Sequence, residues 1–141
     1  MSVVNQQSKS MDRFVVKQTL RTPGVDFDAT TGILELTGNS YMPHPKDFYE
    51  PIINDWLEKY VENPSNSTML KINLDFINTS SSMWIISLLR KLDTIRKNKT
   101  AEVRVHWYFM DEDVRELGEE YRDLVSIPFK FVELNQSYKV N

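Results

Sequence analysis

The chain has 141 residues, 40% of them apolar and 26% charged, a balance that suits one globular domain whose core needs no staples. A net charge of −3 supplies no general attraction to nucleic acid or to an anionic membrane. Cysteine is absent, which excludes disulfides, thiolate catalysis and cysteine-ligated metals and agrees with a reducing cytoplasm.

Residues 1–12 are polar, carry no signal-peptide core and read as a disordered lead-in. No apolar run approaches the ~20 residues of a membrane span. A domain is expected over residues 13–135, followed by a short tail at 136–141. From Arg13 to Leu20 the rise in β-branched and apolar residues predicts a strand. Val25-Asp26-Phe27 and Ile33-Leu34-Glu35-Leu36 flank a polar turn ending in Gly32, the pattern of a β-hairpin that Gly38-Asn39-Ser40 would close. Phe48, Ile52, Trp56 and Tyr60 recur every four residues and predict a helix over about Asp47–Val61. Pro51 fits such a helix only near its start, where a missing N–H is harmless.

Leu70, Ile72, Leu74 and Phe76 alternate with polar residues, as in a strand buried on one face. A polar turn, Asn78 to Ser82, leads into a helix over about Ser81–Asn98 with Ile85, Leu88, Leu89, Leu92 and Ile95 buried. Val103 to Phe109 is the next strand. Asp111 can cap a third helix whose apolar face is Val114, Leu117, Gly118, Tyr121, Leu124 and Val125. Pro128 stops that helix, and Phe129 to Leu134 forms the last strand. This order predicts a single α/β domain: a mixed, mostly parallel sheet with an N-terminal hairpin and three helices.

Little in the chain marks an enzyme. The two histidines, His44 and His106, have no partner at metal-ligand spacing, and His106 in an apolar strand reads as structural. The four glycines are scattered, so no phosphate loop exists. No cofactor or metal is expected. The seven carboxylates between Asp111 and Asp123 read as a solvated helix face, with a small metal-dependent enzyme using Asp111 and Asp113 as the weaker alternative. Arg90, Lys91, Arg96, Lys97 and Lys99 suit the negative end of a helix dipole better than a nucleic-acid surface.

Asn78-Thr79-Ser80-Ser81-Ser82 is the informative segment. One hydroxyl, from Thr79, Ser80 or Ser81, would suffice to cap the helix. Four in a row exceed that need. A helix start also offers unpaired N–H donors and a partial positive charge, so a phosphoryl group there could be held locally while changing what docks around it.

In order and spacing, several short motifs together resemble the SiaC family of bacterial regulatory phosphoproteins, over about Thr22 to Glu133. They are Thr22-Pro23, Phe27-Asp28, Thr31-Gly32, Gly38-Asn39-Ser40-Tyr41 and Phe48-Tyr49-Glu50-Pro51 with Trp56-Leu57. Phe76-Ile77-Asn78-Thr79-Ser80-Ser81-Ser82 stands at the centre, and Trp107-Tyr108, Asp111-Glu112-Asp113, Gly118-Glu119 and Ile127-Pro128-Phe129 follow. The resemblance implies a fold like the STAS-like anti-sigma-factor antagonists, with Thr79 as the phosphorylated residue and Asn78, Ser80, Ser81 and Ser82 as its motif. It implies a serine/threonine kinase, a PP2C-like phosphatase, and a diguanylate cyclase (a GGDEF protein) that the unphosphorylated form activates, raising cyclic di-GMP and favouring biofilm. A lysine often follows the serines in that family, and this chain has Met83 there. A constitutive interaction domain whose hydroxyl run is only a cap is the competing reading.

Overall fold

The computed structural model describes residues 11–98 and 101–135. The expected lead-in up to residue 10, the tail at 136–141 and Lys99 lie outside them. Six strands form one sheet in sequence order: β1 (Phe14–Val16), β2 (Gly24–Asp28), β3 (Ile33–Ser40), β4 (Ser67–Ile77), β5 (Glu102–Phe109) and β6 (Phe129–Glu133). Helix α1 follows β3 in three continuous segments, Pro45–Pro51, a π turn Ile52–Trp56, and Leu57–Glu62. Helix α2 (Thr79–Lys97) joins β4 to β5, and α3 (Glu112–Arg122) joins β5 to β6.

The β1–β2 and β2–β3 pairings are antiparallel, whereas β3–β4, β4–β5 and β5–β6 are parallel. The sheet is thus mixed rather than mostly parallel. The first strand is shorter than its composition suggests. Thr19 makes a local turn, its N–H donating to the Thr22 carbonyl and its hydroxyl oxygen accepting from the Arg21 and Thr22 N–H groups, so the chain leaves the sheet after Val16. Conversely, Gly38-Asn39-Ser40 does not close the hairpin. β3 continues to Ser40 because β4 offers it partners as far as Ile77.

Pro51 lies deeper in α1 than expected, because the helix begins at Pro45. A proline there leaves a carbonyl one turn back without its donor. The backbone responds by widening into the π turn, in which the Leu57 N–H reaches the Ile52 carbonyl. The stripe is kept through this irregularity: Tyr49, Ile52, Ile53, Trp56, Leu57 and Tyr60 are all buried.

Every buried strand side chain points to one face of the sheet, as period-two alternation requires. Val25, Phe27, Leu34, Leu36, Leu70, Ile72, Val105 and Trp107 meet Ile85, Leu88, Leu89 and Leu92 of α2 in one core. Along α3 the apolar stripe stops at Tyr121, because the helix ends at Arg122; Leu124, expected on that face, is exposed. At the basic end of α2, Arg96 donates to the Ser126 carbonyl, and buried Asp93 accepts from the Ser126 N–H and hydroxyl.

Gly118 is where α3 touches the sheet. A Cβ there would lie 2.6–2.7 Å from three atoms of the buried Trp107 indole, whose Nε1 donates to the Val114 carbonyl at 2.9 Å. In a free helix, alanine would gain about 0.8–1 kcal/mol over glycine. Here overpacking, of order 1–3 kcal/mol, opposes and exceeds that gain. Gly118→Ala should therefore lower the urea midpoint at unchanged m-value; a raised midpoint would contradict this packing.

Candidate functional site

A bulge in β4 builds the site. Gly38 pairs with Leu74, but the next residue, Asn39, pairs with Phe76, so Asp75 is an extra residue on β4. Gly38 takes φ of +100°, a conformation that side chains disfavour. The bulge reverses the alternation. Phe76, which period two puts in the core with Leu74, turns out and is 53% exposed, its ring edge-on to Tyr41 at 5.5 Å. Ile77 turns in and packs against the core.

The chain then passes directly into α2. The Asn78 N–H donates to the Ser40 carbonyl at 2.9 Å, so the last residue before the helix is still tied to β3. Asn78, not a hydroxyl, caps α2. Its side-chain oxygen accepts from the Ser81 N–H at 2.9 Å, and its carbonyl accepts from Ser82 at 3.0 Å. Thr79 is accordingly the first helical residue, two positions earlier than the sequence pattern puts the start.

Relieved of capping, the four hydroxyls divide by position. Ser81 is fully buried, its hydroxyl donating to the Met42 sulfur at 3.5 Å. Ser82 is half-buried and hydrogen-bonded to the Tyr121 phenol of α3. Thr79 and Ser80 are exposed, and their N–H groups have no partner among the described residues. A modifying enzyme can therefore reach two of the four, Thr79 and Ser80, without disturbing the core.

The ground beneath is polar but closed. Ser40, fully buried, shares a 2.6 Å hydrogen bond with the Tyr49 phenol, and the Met42 sulfur lies 3.9 Å from the Ser40 hydroxyl. Burial raises both phenols, Tyr49 and Tyr121, above the ordinary tyrosine range, with their serine partners pulling the other way. Both stay protonated and serve as structural hydrogen bonds.

A cleft of about 250 Å³ opens where β4 and β5 end, with Asp75, Tyr108 and Asp111 on its walls. Asp111 is the cap of α3, accepting from the Val114 N–H at 3.0 Å, and Asp113 is exposed in the first turn of that helix. Among the described residues no group of three or more histidines, cysteines or carboxylates is placed to hold a metal ion. His44 is exposed just before α1. His106 lies on the sheet face away from the helices, where partial burial and the nearby Lys130, Lys71 and Arg104 depress its pKa. No described helix is long and apolar enough to cross a membrane.

The exposed pair at the helix start was marked by the excess of hydroxyls. The apolar neighbours were not. Phe76 reads as core until the bulge is known, and Met83, 69% exposed one turn beyond Thr79, stands out in the sequence only as a departure from the family's lysine, not as an exposed apolar anchor.

A family model described as SiaC family regulatory phosphoprotein matches residues 16–134. An uncharacterized protein of Pseudomonas aeruginosa (strain UCBPP-PA14) is 30% identical over 112 residues, 79% of this chain and 88% of that one. Crystalline apo-SiaC from P. aeruginosa superimposes with a TM-score of 0.80 at 27% identity, over 86% of this chain and 99% of its own. A chain in the crystal structure of the P. aeruginosa diguanylate cyclase SiaD in complex with its activator SiaC gives 0.79 at 27% identity, again over 86% and 99%.

The division of labour at the helix start has a measurable consequence. Asn78→Ala should cost about 1 kcal/mol of stability by denaturant titration, as a lost cap does. Thr79→Ala should stay within about 0.5 kcal/mol of the parent, as exposed sites do. The reverse ranking would mean that Thr79 is the cap.

Proposed function

This chain belongs to the SiaC family of regulatory phosphoproteins, and we propose that it is a phosphorylation-gated activator of a diguanylate cyclase in the bacterial cytoplasm, not an enzyme. The unphosphorylated form binds and activates the cyclase, raising cyclic di-GMP. A serine/threonine kinase adds a phosphate to Thr79, a PP2C-like phosphatase removes it, and the output is aggregation or biofilm. Support for the cyclase comes from the solved SiaD complex with its activator SiaC. The single observation that carries the switch is that Thr79, the hydroxyl-bearing first residue of α2, is exposed and sits beside N–H groups that Asn78 does not use.

A phosphoryl group adds about two negative charges and strong acceptor oxygens. At this position the free N–H groups and the helix dipole can hold it without refolding the domain. Its effect falls on neighbours. Phe76, on the bulge three residues before Thr79, and Met83, one helical turn after it, are both large exposed apolar side chains. Side chains of that kind anchor interfaces when a partner buries them. A dianion set between them imposes a desolvation cost on any partner that covers the surface, and repels an acidic one. Met83, where the family often has lysine, makes this surface more apolar and adds no cation to neutralise the phosphate locally.

The test is reconstitution with the cyclase and kinase of the same host. Thr79→Ala should abolish phosphate incorporation and keep cyclase activation. Thr79→Glu should weaken cyclase binding roughly ten- to hundredfold, about 1.4–2.7 kcal/mol. Phe76→Ser with Met83→Ser should lose activation in a protein that still folds. Equal phosphorylation of Thr79→Ala and parent would refute the assignment, with Ser80 the next acceptor to map. If protein isolated from its host never carries phosphate by intact mass, whichever enzymes are expressed, the constitutive interaction domain is the correct reading instead.

A further inference from the structure

The helices cover one face of the sheet, and among the described residues nothing comparable covers the other. On that face the strand register lays out two rows. One runs Asp28, Ile33, Met69, Arg104 across β2 to β5. The other runs Asp26, Glu35, Lys71, His106 across the same strands, with Lys130 of β6 beyond. Taken together, the rows have carboxylates only on β2 and β3 and basic groups only on β4, β5 and β6. The depressed pKa of His106 reflects first its partial burial and then the same neighbouring Lys130, Lys71 and Arg104.

We propose that this face pairs with the same face of a second copy of the chain, about a twofold axis running along the strands between β3 and β4. Such an axis exchanges β3 with β4 and β2 with β5 while keeping each row at its own level. Glu35 of one copy then meets Lys71 of the other, and Ile33, 39% exposed, meets Met69. Asp28 meets Arg104, and Asp26 meets His106. On β2 to β5 each position of the two rows thus finds a partner: Glu35–Lys71 and Asp28–Arg104 by charge, Ile33–Met69 by apolarity, and Asp26–His106 through an imidazole N–H that can donate to the carboxylate. An axis across the strands would set carboxylate on carboxylate and base on base, and is excluded by the same pattern.

The contact is modest. Four strands at about 4.8 Å spacing span roughly 15 Å, below the width of a standard stable interface. Asp26 already shares its carboxylate with Arg13 at 2.7 and 2.8 Å, and Gln18 lies over Gly24 and Gly38 at one end of the face. The Glu35–Lys71 pairs beside the axis therefore carry most of the specificity, and the dimer forms at high protein concentration. Thr79, at the start of a helix on the opposite layer, stays open in either state, so this inference does not rest on the phosphorylation reading.

Sedimentation equilibrium of the full chain tests it. The average mass should rise from 16.6 kDa toward twice that value as concentration approaches about 1 mM. Glu35→Lys alone and Lys71→Glu alone should each raise the dissociation constant at least about tenfold. The double variant with both changes should recover dimerisation, because each copy then offers the swapped pair. Circular dichroism of each variant confirms the fold. A parent protein that keeps the single-chain mass at the highest concentration overturns the proposal. So does a dimer indifferent to both single reversals, or a double variant no better than either single one.

Discussion

One extra residue in β4 governs the whole arrangement around Thr79. Without the bulge at Asp75, alternation would put Phe76 in the core and turn Ile77 outward. With it, Phe76 is displayed, Ile77 anchors the strand end, and the Asn78 N–H closes onto the Ser40 carbonyl of β3. That bond fixes the point at which the chain turns from strand to helix. Gly38 makes it possible, because β3 must take a positive φ where the registers part. A helix start held on a rigid sheet in this way is a fixed platform, not a loop that must be ordered when something binds.

The platform sorts chemically similar hydroxyls into different tasks. Ser81 and Ser82 face inward and sideways, on the Met42 sulfur and the Tyr121 phenol, and lock α2 to the β3–α1 loop and to α3. Thr79 and Ser80 face out. Because the Asn78 amide does the capping, the outward pair is free of structural duty, and altering it leaves the fold's hydrogen bonds intact. The regulatory role proposed for Thr79 needs that separation: a side chain that both capped the helix and carried the modification would couple every phosphorylation event to helix fraying.

Much of this was legible in the sequence. The strand read as Val103–Phe109, which starts one residue earlier as β5, the Asp111 cap and the hairpin follow from alternation, cap chemistry and turn composition, each set by residues within a few positions of one another. The strongly periodic helices were visible for the same reason. What escaped depends on partners distant in the chain. The bulge exists only because β3 and β4 run at different registers past Gly38, so the fate of Phe76 could not be read from its own neighbours. The π turn after Pro51 reflects where α1 begins, at the buried Pro45, which places Pro51 inside the helix. The cap was assigned to a hydroxyl because Asn and Ser are nearly equal as caps, and only the Asn78–Ser40 bond decides between them.

The two faces of the molecule also differ in what they can sense. The covered face ends in a helix start, where a single added phosphate acts over a few ångströms on apolar neighbours, and salt at physiological strength screens it little at that range. The uncovered face carries two rows, each acidic at its β2 end and basic at its β5 end, and any attraction they exert is spread over several weakly buried groups and falls as salt rises. The proposed modification at Thr79 on one layer and the proposed association through the sheet on the other would therefore respond to different variables, one enzymatic and one physical. Because the sheet lies between them, and its core of Leu34, Leu36, Leu70 and Ile72 is rigid and fully buried, neither event requires the other to move the fold.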